Sequence, residues 1–271
     1  MPPAPPPQLF KYEPLCVQAL RNLKTQTLFF GSPRRFNDPY DCALLPRIKQ
    51  PTAEQLATFR SEYRAEGSMP LPAREALQRL DDLELAELLF TACQGALRQA
   101  TEHFLSSRGV TCFSETNDNL LMWSHYGERG QGMCLQFDTS FEPFSKVMPV
   151  EYAAEIPGLD VTADLLRGAY DDIMRLYCTK SVHWSYEREW RGIHNERDTA
   201  FHYESACLTG VYFGPDTPED LVEITCLILR GQNKAVRTYR GARSSDSFDV
   251  KFVEFEYHSH LEAKDLGLYE R

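Results

Sequence analysis

The chain contains no run of 18 apolar residues, and its start lacks the basic segment and apolar core of a secretory signal. Neither a membrane-spanning helix nor an exported, signal-bearing protein is therefore expected. It also has no CxxC pair and no cysteines at metal-ligand spacing. Its eight cysteines (Cys16, Cys42, Cys93, Cys112, Cys134, Cys178, Cys207 and Cys226) lie mostly in apolar runs. That usage points to buried, reduced thiols and a cytoplasmic location. Positive charge is scarce: 29 Lys and Arg stand against 39 Asp and Glu, a net charge of −10. Non-specific binding to nucleic acid or to a membrane surface needs clustered Lys and Arg, which leaves room here only for a small local basic patch. Gly130 and Gly132 bracket Gln131, but nothing completes a dinucleotide-binding glycine pattern. There is no nucleophile elbow and no assignable Cys–His partner for a hydrolase.

What is present is an ordinary globular composition, 42% apolar and 25% charged, over 271 residues. A chain of this length buries roughly 70–75% of its unfolded surface and needs no covalent staple. Residues 1–8 are a proline-rich, extended leader. Residues 9–271 read as one α+β domain carrying a helical insertion at about 51–107.

Along the chain, Leu9–Tyr12 reads as a strand, and Pro14 opens a helix to Thr25. Thr27–Gly31 is a second strand, followed by a loop dense in turn formers, Ser32–Asp41. In that loop Asn37 and Asp38 bond their own backbone, and Pro39 forces Asp38 out of the helical region. The loop is either a site element or a self-bonded turn. Helices are expected over Thr52–Glu66, Ala73–Leu89 and Thr91–Leu105. Gly109–Glu115 is a strand, and Asn117–Asn119 caps a helix running to Tyr126, on which Trp123 and Tyr126 share a face. Strands follow at Met133–Phe137 and Val147–Tyr152, then a helix over Thr162–Cys178. A strand at Val211–Phe213 precedes a helix with Thr217 as N-cap and Pro218 at its first position, reaching Leu229. Ser247–Phe255 alternates as a terminal strand with Phe248, Val250 and Phe252 inward and Val253 as a further inward candidate.

The segment Trp184–Arg191 (WSYEREWR) alternates large aromatics with charges. Read as a strand, it places Tyr186, Arg188 and Trp190 on one face and Glu187, Glu189 and Arg191 on the other. The charged face is either an ion-paired exterior or a cleft floor where a guanidinium holds a carboxylate.

Four segments combine into a pattern: Phe10–Tyr12, Leu28–Asp41, Cys112–Gly127 and Trp184–Arg191. Together they resemble the bacterial domain of unknown function (DUF) 2971 family. More distantly, their order resembles the ADP-ribosyltransferase superfamily, including DarT-like and abortive-infection toxins. That likeness implies a central, mainly antiparallel split sheet with flanking helices. It also implies NAD as substrate with no metal, a role as a bacterial toxin or phage-defence effector on a macromolecular target, and room for a cognate antitoxin or immunity protein. By the same likeness Glu189, with Glu187 and Arg191, would be catalytic. Lys11 and Tyr12 would stand where the superfamily has Arg or His, and Ser114 where it has the middle-strand Ser or Tyr. Tyr12, Trp123 or Tyr126 would stack on nicotinamide or adenine. Arg35, Asn37 and Asp38 would position the diphosphate or second substrate, and Ser32 and His125 would also belong to the cofactor-binding set.

The chemistry is coherent in its own terms. Breaking the nicotinamide–ribose bond builds positive charge on the ribose, and an ionised carboxylate stabilises that charge more in the transition state than in the ground state. Two rivals remain. One is a non-catalytic module binding a nucleotide or protein in the same aromatic cleft. The other is a metal-dependent nuclease gathering Asp38, Asp41, Glu115, Asp118, Glu187 and Glu189, although no recognised metal motif orders them.

Overall fold

The computed structural model describes residues 3–64, 70–160, 174–233 and 235–268. The chain forms two compact units, Met1–Ser32 with Arg108–Val150 and His183–Arg271, and Pro33–Ser107 with Glu151–Val182.

The first unit begins with β1 (Gln8–Glu13), α1 (Val17–Thr25) and β2 (Thr27–Phe30). The second unit supplies β3 (Arg47–Lys49), α2 (Ala53–Arg64), α3 (Leu71–Arg79) and α4 (Asp82–Ser107). The chain then re-enters the first unit with β4 (Gly109–Ser114), α5 (Leu120–His125), β5 (Met133–Asp138) and β6 (Met148–Pro149). After β7 (Glu151–Ala153), β8 (Gly158–Asp160) and β9 (Thr179–Ser181) in the second unit, β10 (Glu189–His194), β11 (Thr199–His202) and β12 (Leu208–Phe213) return to the first. The helix Glu219–Arg230, β13 (Arg237–Arg243), β14 (Val250–Phe255) and the short helix His260–Asp265 complete it.

Eight strands form one sheet in the order β14-β13-β12-β5-β1-β4-β10-β6. Neighbours are antiparallel except β12 and β13, which run parallel and are joined through the helix Glu219–Arg230. The expected large, mainly antiparallel sheet with flanking helices is present.

Strict alternation sorts this sheet into two chemically different faces. Leu9, Phe113, Phe137, Trp190, Val211 and Phe213 point to one side. There they meet Ala19 and Leu23 of α1 and Val222, Cys226 and Leu229 of the later helix. Phe137 and Phe213 are fully buried, and each such side chain contributes about 1.5–3 kcal/mol. Phe10, Tyr12, Ser114, Glu189, Arg191, Gln136 and Tyr212 occupy the opposite face. Met122 and Trp123 of α5 cover its Tyr12 end.

Helices α2, α3 and α4 make up most of the second unit's described residues between Ala53 and Ser107. Helix α4 buries Leu85, Leu89, Cys93 and Leu97 along one stripe at four-residue spacing. Two parallel strand pairs, β3 with β8 and β7 with β9, lie in the same unit.

Several expected elements are corrected. The helix expected over Ala73–Leu89 breaks at Leu80, where the backbone turns extended. Asp81 and Glu84 form a reciprocal capping box, 2.8 and 2.9 Å, that starts α4, and α4 then runs unbroken through Phe90. The Val147–Tyr152 strand divides at Val150, β6 joining the large sheet and β7 pairing with β9. Thr217 does not cap its helix, because its hydroxyl donates to the Gly132 carbonyl at 2.8 Å. Phe248 and Val253 point to solvent rather than inward, 95% and 70% exposed. Most of the helix expected over Thr162–Cys178 falls outside the described residues; Met174–Leu176 are helical.

Candidate functional site

The site grows from β10 and the turn before it. Val182–Glu187 forms a 3-10 turn rather than the first half of a strand. Arg188 then takes a left-handed conformation (φ 43°) before the strand begins at Glu189. The turn is closed by Arg188 N–H donating to Ser185 O (3.3 Å), while Arg188 O accepts from Glu115 N–H (3.1 Å). A left-handed non-glycine residue costs about 1–2 kcal/mol, so these bonds, not local preference, impose it. The alternation expected from Tyr186 to Arg191 therefore holds only from Glu189 onward.

Within β10, Glu189 and Arg191 stand two apart on one face, as their spacing requires. Arg191 Nε donates to Glu189 Oε1 at 2.7 Å and a terminal nitrogen donates to Oε2 at 3.0 Å. This is a side-on, bidentate pair, with Arg191 wholly buried and Glu189 5% exposed. Across the strand pair Glu189 lies directly opposite Ser114, and Arg191 opposite Cys112.

Glu187, although off the strand, is also buried. Its carboxylate accepts the Tyr126 O–H at 2.6 Å, and its carbonyl accepts the Ser114 hydroxyl at 2.7 Å. Ser114 Oγ in turn accepts the Thr116 N–H at 3.2 Å. Asn119 caps α5 by accepting from Leu121 and Met122 N–H, and its amide donates to Tyr186 O at 3.4 Å. Tyr126 is thus aimed at Glu187 by a short, well-capped helix. Two buried carboxylates are held by different chemistry, one by a phenol and one by a guanidinium.

The other expected contributors divide. Lys11 pairs with Glu13 at 3.2 Å and lies 5.9 Å from the Phe113 ring centroid. Phe113 belongs to the opposite face of the sheet from Ser114, so Lys11 does not share a cleft with Glu189. Adjacent strand residues point to opposite faces, which also separates it from Tyr12. Tyr12 donates to Thr116 O at 3.0 Å and packs edge-on against Trp123 (5.2 Å, 77°). Burial pushes its phenol well above the ordinary range. Trp123 donates to Asn117 O at 2.7 Å, touches Phe252 as well, and is 1% exposed, so it is packing and not a stacking platform. His125 is exposed, its ring 6.4 Å from that of the half-buried Tyr186.

Ser32, just after the Gly31 bridge to Val110, is buried, and its N–H donates to Asp198 at 3.3 Å. Arg35, Asn37 and Asp38 belong to the second unit. There Asp38 Oδ1 accepts from Tyr40 N–H at 2.9 Å and Asp38 O from Asp41 N–H at 3.1 Å, a self-bonded turn. In the same unit Asp41 forms a buried ion pair with Lys180 at 3.2 Å. Among the described residues no group of three or more His, Cys, Asp or Glu gathers to hold a metal ion. The hydroxyl–amide contact between Tyr212 and Gln136, on the same sheet face as Glu189, went unanticipated. A lone Gln inside the apolar segment MCLQFD is the signal that marks it.

The family described as "Protein of unknown function (DUF2971)" matches residues 122–192. The matched span runs from Met122 on α5 to Gly192 on β10, and it contains Tyr126, Glu187, Glu189 and Arg191. It leaves out β1, the Asn37–Asp38 turn and Ser114. Comparison with curated proteins and with solved structures gives no match. Among the described residues no helix is long and apolar enough to cross a membrane.

Proposed function

We propose that Glu187, Glu189, Tyr126 and Arg191 form the reaction centre of an ADP-ribosyltransferase-like protein. It would break the nicotinamide–ribose bond of NAD and pass ADP-ribose to a macromolecular target or to water. A role as a toxin or phage-defence effector, with a neutralising partner, belongs to the same reading. The observation that carries it is the juxtaposition of Ser114 and Glu189 across adjacent antiparallel strands, with Glu187 bonded to both Ser114 and Tyr126. That order of middle-strand Ser and late-strand Glu is the one the superfamily resemblance implies.

In this mechanism nicotinamide leaves with the bonding pair of the C–N bond, and the ribose acquires oxocarbenium character. Glu189, kept ionised and aimed by Arg191, stabilises that charge. Glu187 takes the proton of the incoming nucleophile, its direction set by the Tyr126 hydroxyl. Ser114 acts as a positioning residue through the Glu187 carbonyl. Lys11 and Trp123 have no part in it.

Nicotinamide release from NAD by the purified chain, followed chromatographically with and without cell lysate, tests this. Release is expected, and Glu189→Gln is expected to reduce it at least ~100-fold while the chain stays folded, the scale of losing one electrostatic stabiliser. No release under either condition, or release unaffected by Glu189→Gln, would sink the assignment. The second reading, a non-catalytic binding module, is favoured by one observation: both Glu189 oxygens are already engaged by Arg191. Under that reading Glu189→Gln lowers the unfolding temperature and changes no chemistry.

A further inference from the structure

The residues expected to meet the diphosphate of a dinucleotide are placed elsewhere or already engaged. Arg191 is bonded to Glu189, Lys11 faces the other side of the sheet, and Arg35 belongs to the second unit. The ribose that reacts carries the diphosphate on its 5′ carbon. A group holding that diphosphate must therefore stand close to the carboxylate that meets the ribose.

Arg188 joins the two buried carboxylates, its Cα about 3.8 Å from those of Glu187 and Glu189. Its backbone is left-handed (φ 43°), a region that favours glycine and, less strongly, asparagine. That conformation decides where the side chain goes. On a strand continuous through residue 190, Arg188 would share the face of Trp190 and enter the apolar core. The left-handed turn leaves it exposed instead.

Among the described residues no hydrogen bond, ion pair or ring contact engages the Arg188 guanidinium. Three carboxylates belong to residues next to it in the chain or bonded to its backbone, and each meets another donor. Glu187 accepts from Tyr126, Glu189 from Arg191, and Glu115 from the Trp190 ring nitrogen at 2.8 Å. The fold thus carries backbone strain at a residue whose side chain bonds nothing within it, between the two carboxylates of the reaction centre. Strain of that kind points to a function for the side chain it displays.

We propose that Arg188 binds the diphosphate of the dinucleotide, its planar fork meeting two phosphate oxygens. The phosphate end is then held one residue from Glu189, which meets the ribose. This deepens the NAD reading of the reaction centre and rests on it for the identity of the ligand. The diphosphate does not change charge as the C–N bond breaks, so the contact acts on KM and leaves kcat nearly alone.

Calorimetric titration of the full chain with ADP-ribose tests the role, since that probe keeps the diphosphate and lacks nicotinamide. Binding is expected, weakening as salt rises. Arg188→Gly removes the guanidinium and relaxes the backbone. It is expected to bind ADP-ribose at least tenfold more weakly, with little salt dependence, while unfolding at the same temperature or higher. Arg188→Lys keeps the charge without the fork and should fall between. In nicotinamide release, Arg188→Gly should raise KM for NAD at least tenfold. If Arg188→Gly fails to fold, Arg188→Asn carries the decision. No ADP-ribose binding at millimolar concentration, or equal affinity in the unaltered chain and Arg188→Gly, overturns the proposal. Weaker binding that comes with a lower unfolding temperature in both Arg188→Gly and Arg188→Asn makes the side chain structural and also overturns it. ADP-ribose binding that needs Arg188, without nicotinamide release, keeps this role and removes the reaction. Nicotinamide release whose KM is indifferent to Arg188→Gly does the reverse.

Discussion

Arg191 is the largest polar side chain in the chain's fully buried set, and its charge is matched by the side-on carboxylate of Glu189. Burying both ions is costly, and removing one leaves the other uncompensated. Arg191→Ala is therefore expected to lower stability by about 3–5 kcal/mol in urea unfolding. A loss under about 1 kcal/mol would show that water reaches the pair. The Glu189–Arg191 pairing was legible in the sequence, because two-residue spacing on a strand dictates a shared face. The place of Glu187 was not. It depends on the left-handed Arg188, which is imposed by Ser185 and by Glu115, the residue just past the neighbouring strand β4 and far away in sequence. Lys11 misled for a simpler reason. Its neighbour Tyr12 was assigned to the same cleft, although adjacent strand residues cannot share one.

At the scale of elements, α5 has only six residues, and its cap matters accordingly. Asn119→Ala should cost about 1 kcal/mol through the lost N-cap and release Tyr126 from Glu187. Thermal unfolding measures the first effect, and loss of nicotinamide release beyond the stability change measures the second. The short helix His260–Asp265 has no buried residue and depends on its capping box, in which Glu262 bonds Ser259 and also pairs with Arg230. Bonds from Ser259 hold the Glu262 carboxyl down at about 2 against an ordinary 4.5. A lowered acid contributes stability above its ordinary range and loses it as pH falls through about 2. Carbon chemical shifts of residues 260–265 should stay helical from neutral pH to about 5 and move toward coil as pH approaches 2. Glu262→Gln should remove that acid dependence.

Most elements with clear periodicity were readable, including α1, α5 and the helix Glu219–Arg230. The strand β13 (RTYRGAR) was not, since its arginines recur every third residue and so fall on both faces, leaving neither one apolar. Its arginines are accommodated by Asp216, Glu219 and the Tyr239 ring, contacts that only the assembled fold provides.

Across the whole molecule, protection should follow position in the sheet. Amide exchange is expected to be slowest in β1, β4 and β5, and faster in the terminal strands β6 and β14, each of which pairs on one side of the sheet only. Equal rates across the eight strands would contradict that ordering. The central place of β1 has a further consequence for synthesis on the ribosome. Of the eight strands this one emerges first, with two open edges; its partners are β5 and β4, and β4 waits in turn for β10, which follows β1 by some 180 residues. At about 5–20 residues per second that interval lasts roughly 9–36 s. Until β4 and β5 emerge, Leu9, Phe10 and Tyr12 have no partner strand, and until β10 emerges the sheet they join stays open at β4, so nascent chains arrested before residue 189 should depend on holdase chaperones, and full-length chains should not.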